Sequence, residues 1–306
     1  MKFSRVPGIS SDISRVVMGS LAFRDLDFAA PICDKYFALG GNCFETANHY
    51  GNAEEVLGKW IQSRGLREEV VLITKGAHTP NCYPEAVTEE LFESLDRLKT
   101  DSVEVYFLHR DNLDVPVGEF VDVLNEHRNA GRIKVFGGSN WTTKRVQEAN
   151  DYAKRNGLVG FTALSNNFSL ARMVEPPWEG CVTASDPDSR QWLTDQQMPL
   201  FPWSSQARGF FAEGRAAPED LSDAELARCW YSNDNFMRLE RARSLAAQKD
   251  VSATAVALAY VLHQPFPTFP IVGPMSPSET STSLEALNVE LTPAEVRWLD
   301  LRDRDK

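Results

Sequence analysis

Asn42-Cys-Phe-Glu-Thr-Ala-Asn-His-Tyr-Gly51 is the stretch on which the fold turns. Asn42 to Phe44 are short and largely apolar, as at the end of a buried strand, and Glu45 stands where such a strand stops. Five residues on comes Tyr50, then Gly51, and after them Val56, Leu57, Trp60 and Ile61 recur at helical spacing. A carboxylate and a phenol therefore stand at a strand-to-helix junction, where parallel α/β folds place their chemistry. Lys75 follows the apolar run Val70-Val-Leu-Ile-Thr, and His109 follows Val103-Glu-Val-Tyr-Phe-Leu. Acid, phenol, amine and imidazole are expected on one rim.

The same punctuation extends both ways along the chain. Arg15-Val-Val-Met-Gly19 reads as a first strand ending on Gly19-Ser20, and Phe28 to Leu39 as a helix closed by Gly40-Gly41. Arg64-Gly65 ends the helix after the opening stretch, and Pro84 starts another at a position where a missing N–H costs little. Val117 to Arg128 and Val146 to Asn156 read as further helices. Strand candidates begin at 15, 42, 70, 103, 133, 159, 198 and 269. Pro176-Pro-Trp and Asp186-Pro-Asp-Ser read as turns. The run from Gly209 to about Asn235 reads as an insertion, followed by helices Phe236 to Lys249 and Ala253 to His263. A later helix begins near Ser278, and Thr292, Pro293 and Glu295 spell a capping box. Eight β/α units predict an α/β fold of the (β/α)8 TIM-barrel type. Residues 1–306 are expected as one domain, with chemistry on C-terminal-face loops and an insertion after strand 7. The alternative is an open doubly wound sheet. Met18-Gly-Ser-Leu-Ala lacks the glycine-rich loop that its nucleotide-binding version carries after the first strand.

The bulk numbers narrow the partners. With 306 residues, 42% hydrophobic and 25% charged, the chain has the composition of a soluble globular protein. A formal net charge of −11 argues against nucleic acid and against an anionic membrane surface, which need clustered cations. The five cysteines, Cys33, Cys43, Cys82, Cys181 and Cys229, form no Cys-x-x-Cys pair. Neither a disulfide framework nor a metal site is expected, and reduced thiols point to the cytoplasm. Met1-Lys-Phe-Ser-Arg-Val-Pro-Gly lacks the apolar core of a signal peptide, and no apolar run is long enough to span a bilayer.

The four rim residues suit one reaction. A phenol with a pKa of about 10 is a poor proton donor at neutral pH unless something lowers that value. A nearby ammonium does so. Lys75 is placed to supply it, Glu45 to hold it, and His109 to bond the substrate oxygen beside Tyr50. The assembly donates a proton to an oxygen gaining negative charge, as hydride addition to a carbonyl requires, and the hydride must come from a cofactor. Each residue taken singly has an ordinary reading as a packed or solvated strand-end side chain. Four matched types at consecutive strand ends are harder to dismiss. A glycosidase using Glu45 and Asp111 as a carboxylate pair is a weaker reading.

The sequence resembles the aldo-keto reductase family. The resemblance rests on Gly41 to Gly51 with Ala53-Glu-Glu-Val-Leu-Gly58, then Ile73-Thr-Lys75, Leu108-His-Arg-Asp111, Ala130-Gly-Arg-Ile133 and Gly138-Ser-Asn-Trp141. Trp203-Ser-Ser-Gln-Ala-Arg-Gly209 and Ile271-Val-Gly273 also fit. It implies a (β/α)8 barrel that transfers hydride between NAD(P)H and a small aldehyde, ketone or sugar-like substrate. It implies Tyr50 as general acid, with Lys75 and His109 beside it, and Glu45 in place of the usual aspartate. It also implies Ser139 and Asn140 on the nicotinamide carboxamide, Ser165 in place of the usual glutamine, and Trp203 stacked on the ring. The loop Ser204, Ser205, Gln206, Arg208 would embrace the pyrophosphate. Gly19, Ser20, Gly273, Ser276 and Glu279 complete the implied cofactor site. Two cations that hold a 2′-phosphate in NADPH-preferring relatives fall on Gly273 and Glu279. NADH is therefore expected to serve at least as well as NADPH. The resemblance leaves one alternative, a weakly catalytic cofactor-binding regulatory subunit of the same fold. The insertion, with Phe210, Phe211, Trp230, Tyr231 and Phe236, is expected to fold over the pocket beside Phe23 and Trp141, and Arg24 reads as a solvated arginine in preference to a contact for an anionic substrate.

Overall fold

The computed structural model describes residues 1–303. A leading antiparallel hairpin pairs β1 (Phe3–Ser4) with β2 (Ile13–Ser14). Strands and helices then alternate: β3 (Val17–Gly19), α1 (Leu26–Ala38), β4 (Cys43–Glu45), α2 (Ala53–Arg64), β5 (Val71–Gly76) and α3 (Pro84–Leu98). They continue through β6 (Val103–Leu108), α4 (Val117–Asn129), β7 (Ile133–Ser139), α5 (Thr143–Arg155) and β8 (Ala163–Ser165). Next come α6 (Pro187–Gln196), α7 (Ala224–Trp230), α8 (Asn233–Lys249), α9 (Ala253–Leu262), β9 (Ile271–Val272), α10 (Pro277–Glu285) and α11 (Pro293–Leu299).

One parallel sheet runs in the order β8-β7-β6-β5-β4-β3-β9. Between its two edges lies the extended run 199–202. Leu200 bridges in parallel to Leu164 of β8 and to Thr268 just ahead of β9. The Phe201 N–H donates to Leu164 O at 2.8 Å, and the Phe269 N–H donates to Leu200 O at 2.8 Å. Pro199 and Pro202 lack donors, so this run pairs too sparsely to form a full ladder. It takes the place expected of the seventh strand. The sheet curls back toward itself in a manner compatible with a (β/α)8 barrel.

Period-two alternation sorts the strands onto two cores. Val17, Cys43, Val71, Ile73, Val105, Phe107, Val135, Ala163, Phe201, Phe269 and Ile271 form one buried cluster together with Val6, Ile9 and Ile13 of the hairpin region. Met18, Phe44, Leu72, Tyr106, Phe136 and Leu164 belong to the other, shared with the helices. Gly8 lies against Val135, close to the start of β7, so the hairpin plugs the N-terminal end of the strands. The C-terminal end is left for the loops.

Local signals set most boundaries. Gly65 ends α2 in the left-handed region, Pro84 opens α3, and Thr292 and Glu295 form both bonds of a capping box on α11. Three expectations are corrected. Asp186-Pro187 is a helix start: the Asp186 side chain accepts from the Ser189 N–H and Pro187 occupies the first turn of α6. The strand expected from Val159 is confined to Ala163–Ser165. The Val159 N–H is taken by Asn125 Oδ1 at 3.0 Å and the Phe161 N–H by Asn150 Oδ1 at 2.6 Å, so neither can join a ladder. Helix α8 begins at Asn233 rather than Phe236, because Ser232 caps it.

Candidate active site

The site is the continuation of the inner core by one more step. Each inner-facing residue near a strand's end is followed two positions later by a polar or special residue of the same orientation. Val17 leads to Gly19, Cys43 to Glu45, Ile73 to Lys75, Phe107 to His109, Gly137 to Ser139 and Ala163 to Ser165. Phe201 leads to Trp203, and Ile271 to Gly273. Sheet register sets Gly19 opposite Glu45, and Ser139 opposite Ser165. The sequence-expected residues thus gather at one end of the sheet.

Lys75 is 1% exposed and Glu45 2%. The Lys75 ammonium is in direct contact with Glu45 Oε1. It also donates to Tyr50 Oη at 3.2 Å and to the Thr46 carbonyl at 3.3 Å. Tyr50 Oη donates in turn to Glu45 Oε1 at 3.4 Å. The His109 ring stands edge-on to Tyr50, with centroids 5.7 Å apart, and its buried Nδ1 has no hydrogen-bond partner. Burial, then the Arg110 charge, lowers the Lys75 pKa. Burial, then the charges of Lys75, His78, Arg110 and His49, lowers that of His109 and holds the imidazole neutral. Tyr50 departs from the sequence expectation of a lowered phenol. Burial raises its pKa, opposed by the Arg110 charge, so the resting group is the protonated phenol.

The residues expected on a cofactor line the same end. Ser139 Oγ donates to Ser165 O at 2.9 Å, and Asn140 Nδ2 reaches Ser139 Oγ at 3.2 Å and His109 O at 3.4 Å. Ser165 Oγ donates to Phe201 O, and Ser205 Oγ to Ile271 O. Gln206 Nε2 donates to Ser283 Oγ at 3.2 Å. Ser20 Oγ and Trp203 Nε1 are buried without partners. Ser204, Ala207, Arg208 and Gly209 all have positive φ, and the turn is closed internally, with the Ala207 N–H donating to Ser204 O at 2.8 Å and the Gly209 N–H to Gln206 O at 3.0 Å. A Cβ on Gly273 would meet open space. The orphaned polar atoms of Ser20 and Trp203 at this end fit a polar ligand such as a dinucleotide. Arg208 itself is tied to Glu225 at 2.7 Å, Ser276 caps α10, and the Glu279 carboxylate accepts from the Met275 N–H at 2.8 Å.

Several expectations fall elsewhere. Trp141 is fully buried behind the sheet between Phe120 and Phe161 and cannot line a pocket. Arg24 is largely exposed, in line with its reading as a solvated arginine, and lies over Phe28 with Asp25 beside it at 3.7 Å. Asp111 is held by Arg145 at 3.1 Å, which leaves no free carboxylate there to pair with Glu45. Phe210 packs on Phe211, Tyr231 and Phe236 in an aromatic cluster of the expected insertion's own. Sequence reading missed three groups beside the site. His49 and His78 are stacked at 4.0 Å, with His78 edge-on to His109 at 4.7 Å. Arg110 is buried against Cys181. Its position directly after His109 was the available signal. Among the described residues, no group of histidine, cysteine and carboxylate side chains could hold a metal, and no helix is long and apolar enough to cross a membrane.

The model of the Aldo/keto reductase family matches residues 15–301. Three similar proteins illustrate the range of relatives. A putative aryl-alcohol dehydrogenase of Saccharomyces cerevisiae is 27% identical, covering 92% of this chain and 78% of its own. A norsolorinic acid reductase of Aspergillus flavus is 28% identical, with 87% and 69% covered. A protein of Phanerodontia chrysosporium named aryl-alcohol dehydrogenase [NADP(+)] is 24% identical, with 96% and 83% covered.

Proposed function

The chain belongs to the aldo/keto reductase family, and from that premise we propose that it is an oxidoreductase interconverting a small carbonyl compound and its alcohol with NAD(P)H. The observation that carries the reading is the Tyr50 hydroxyl, 3.2 Å from a buried Lys75 whose counter-ion is Glu45. Names of relatives that are aryl-alcohol dehydrogenases agree with this reaction class.

When bound, reduced nicotinamide supplies the hydride. This chain's residues manage the proton. Tyr50 Oη donates to the carbonyl oxygen as it becomes an alkoxide, a far stronger base than a phenolate, so a phenol kept protonated by burial still transfers downhill. The Lys75 ammonium, already on the phenol, stabilises the phenolate left behind. Glu45 holds the ammonium in a site where burial works against it. Neutral His109 orients the carbonyl oxygen beside Tyr50. Ser139, Asn140, Ser165, Trp203 and Ser20 are the candidates to hold the nicotinamide half, and 204–209 with Gly19 and Gly273 the pyrophosphate. Ser276 and Glu279 stand at the implied 2′ position, with a carboxylate and no cation at those two positions. In this reading NADH serves at least as well as NADPH, although one relative carries NADP(+) in its name. The proposal takes the chain as one domain in a reducing cytoplasm, in keeping with five free cysteines.

The test is consumption of NADH and NADPH with a panel of aldehydes and ketones, for wild type and Tyr50→Phe. Removal of a general acid is expected to lower kcat about 10²–10⁴-fold while cofactor binding persists. Cofactor binding without turnover of any carbonyl would support the regulatory-subunit alternative, and a loss below tenfold in Tyr50→Phe would remove Tyr50 as the acid.

A further inference from the structure

Arg110 is the charged side chain at this site that the chemistry above leaves unused. It is only 6% exposed. Nη1 lies 3.5 Å from the His109 carbonyl oxygen and Nη2 3.6 Å from Cys181 Sγ, both long and weak contacts. Nε is buried with no partner. Among the described residues no carboxylate forms an ion pair with it. Two of the other deeply buried arginines have carboxylate partners, whereas Arg238 shares with Arg110 a buried Nε without a partner and no ion pair among the described residues. Arg145 has Asp111 at 3.1 Å, Arg190 has Asp300 at 2.6 Å, and Arg238 donates to Asn235 Oδ1 at 3.1 Å. A guanidinium cannot shed its proton in a protein, so burial without an anion is unfavourable unless something pays it back on binding.

The immediate surroundings of Arg110 are backbone and a thiol. The guanidinium lies between the backbone of His109 and the turn Gly180-Cys181. A Cβ on Gly180 would lie 3.8 Å from Arg110 Nε, and Cys181 Sγ lies 3.6 Å from Nη2, so the turn packs close to the Nε–Nη2 edge without giving it an oxygen acceptor. Gly180 has φ +73°, which favours glycine there. The same segment is anchored to the site by the Val182 N–H, which donates to Asn140 Oδ1 at 3.1 Å. Its Trp178 is half-exposed, 6.4 Å from the Trp203 ring. The Arg110 charge is close enough to bear on Tyr50, Lys75 and His109 together. The Nε–Nη2 edge is one of the two-donor forks with which arginine holds a carboxylate.

We propose that Arg110 is a specificity-determining residue that receives a carboxylate on the substrate, so that the preferred substrates are carboxylate-bearing aldehydes or ketones. The inference rests on the oxidoreductase reading of the same site. In the reaction the carbonyl carbon takes a hydride from the reduced nicotinamide, the carbonyl oxygen takes the Tyr50 proton, and the π bond becomes a C–H and an O–H bond. The nicotinamide is oxidised, the carbonyl is reduced to an alcohol, and the carboxylate is unchanged.

The experiment compares 4-carboxybenzaldehyde with 4-methylbenzaldehyde, two aryl aldehydes of similar size that differ in charge. The readout is the ratio of kcat/KM for the charged over the neutral aldehyde. Wild type is expected to favour the charged aldehyde by about tenfold or more, the scale of a charge-assisted hydrogen bond. In Arg110→Met this ratio falls by about ten- to a hundredfold, chiefly through KM, and Arg110→Lys restores part of it. Benzoate inhibits wild-type reduction of 4-methylbenzaldehyde competitively, and benzamide inhibits far less. This last arm needs no variant to fold. A wild-type ratio near one, a ratio unchanged in Arg110→Met, or equal inhibition by benzoate and benzamide would each overturn the proposal. If wild type reduces the neutral aldehyde but shows no charge preference, this inference fails and the oxidoreductase reading stands. If neither aldehyde is turned over and no other carbonyl is, the oxidoreductase reading fails and this inference falls with it.

Discussion

Replacing Glu45 by glutamine keeps the shape of the side chain and removes the anion that faces Lys75. The ammonium then has only neutral oxygens, Tyr50 Oη at 3.2 Å and Thr46 O at 3.3 Å, besides the amide. Burial and then the Arg110 charge already lower the Lys75 pKa in the wild-type chain. Without Glu45 the buried amine is expected to give up its proton in the folded state. An unfolded lysine titrates near 10.4, about 3.4 units above pH 7, so holding it neutral there costs at most about 4.6 kcal/mol. That bound agrees with the roughly 3–5 kcal/mol for a buried pair broken on one side. The sign of the pH dependence follows from proton counts. The folded variant binds fewer protons than its unfolded chain, so its stability rises with pH. Its deficit against wild type therefore shrinks by about 1.4 kcal/mol per pH unit. It vanishes above the wild-type Lys75 pKa, itself below the ordinary lysine value. Urea unfolding between pH 6 and 9 of wild type, Glu45→Gln, Lys75→Met and the double variant measures this directly. The double variant should recover most of the deficit, because no unpaired charge is left. A deficit under about 1 kcal/mol at pH 7, or one that grows with pH, would refute the dependence of the ammonium on Glu45.

Glu279→Arg should move kcat/KM toward NADPH by roughly ten- to a hundredfold, since it exchanges a repelling carboxylate for a charge-assisted bond. An unchanged NADPH/NADH ratio would show that Glu279 serves only its observed bond to the Met275 N–H. Asp300 is 1% exposed at its side chain and meets Arg172 at 2.5 Å, Arg190 at 2.6 Å and Arg302 at 2.8 Å. Burial pushes its pKa up, but the Arg172 and Arg190 charges outweigh this and hold it below the usual carboxylate value. Its stabilisation is therefore present above the ordinary carboxylate pKa and is lost as pH falls through the lowered one. Asp300→Asn should cost about 3–5 kcal/mol in urea unfolding at pH 7, and a change below about 1 kcal/mol would contradict it. Because burial and neighbouring charges keep His109 neutral, kcat/KM for reduction should show no step near the ordinary histidine value. A step there that disappears in His109→Gln would contradict that assignment.

The sequence by itself determined the alternation of strands and helices and most of their ends. Those features are written within three or four residues, as in Gly65, Pro84 and the Thr292-Glu295 box. It also placed Glu45, Lys75, His109, Ser139 and Ser165 at strand ends in the orientation of the inner core, because side-chain direction alternates with period two along each strand. Other features depended on partners distant in the chain. Residues 199–202 read as a strand from composition, yet their pairing is limited by prolines and supplied by Leu164 and Thr268. The backbone from Val159 was diverted from the sheet by Asn125 and Asn150, on helices whose packing no local pattern specifies. The raised Tyr50 pKa and the buried, unpaired Arg110 were likewise invisible in sequence. Burial and the sum of neighbouring charges set both, and these exist only once the curled sheet has brought its strand ends and the 176–183 loop together.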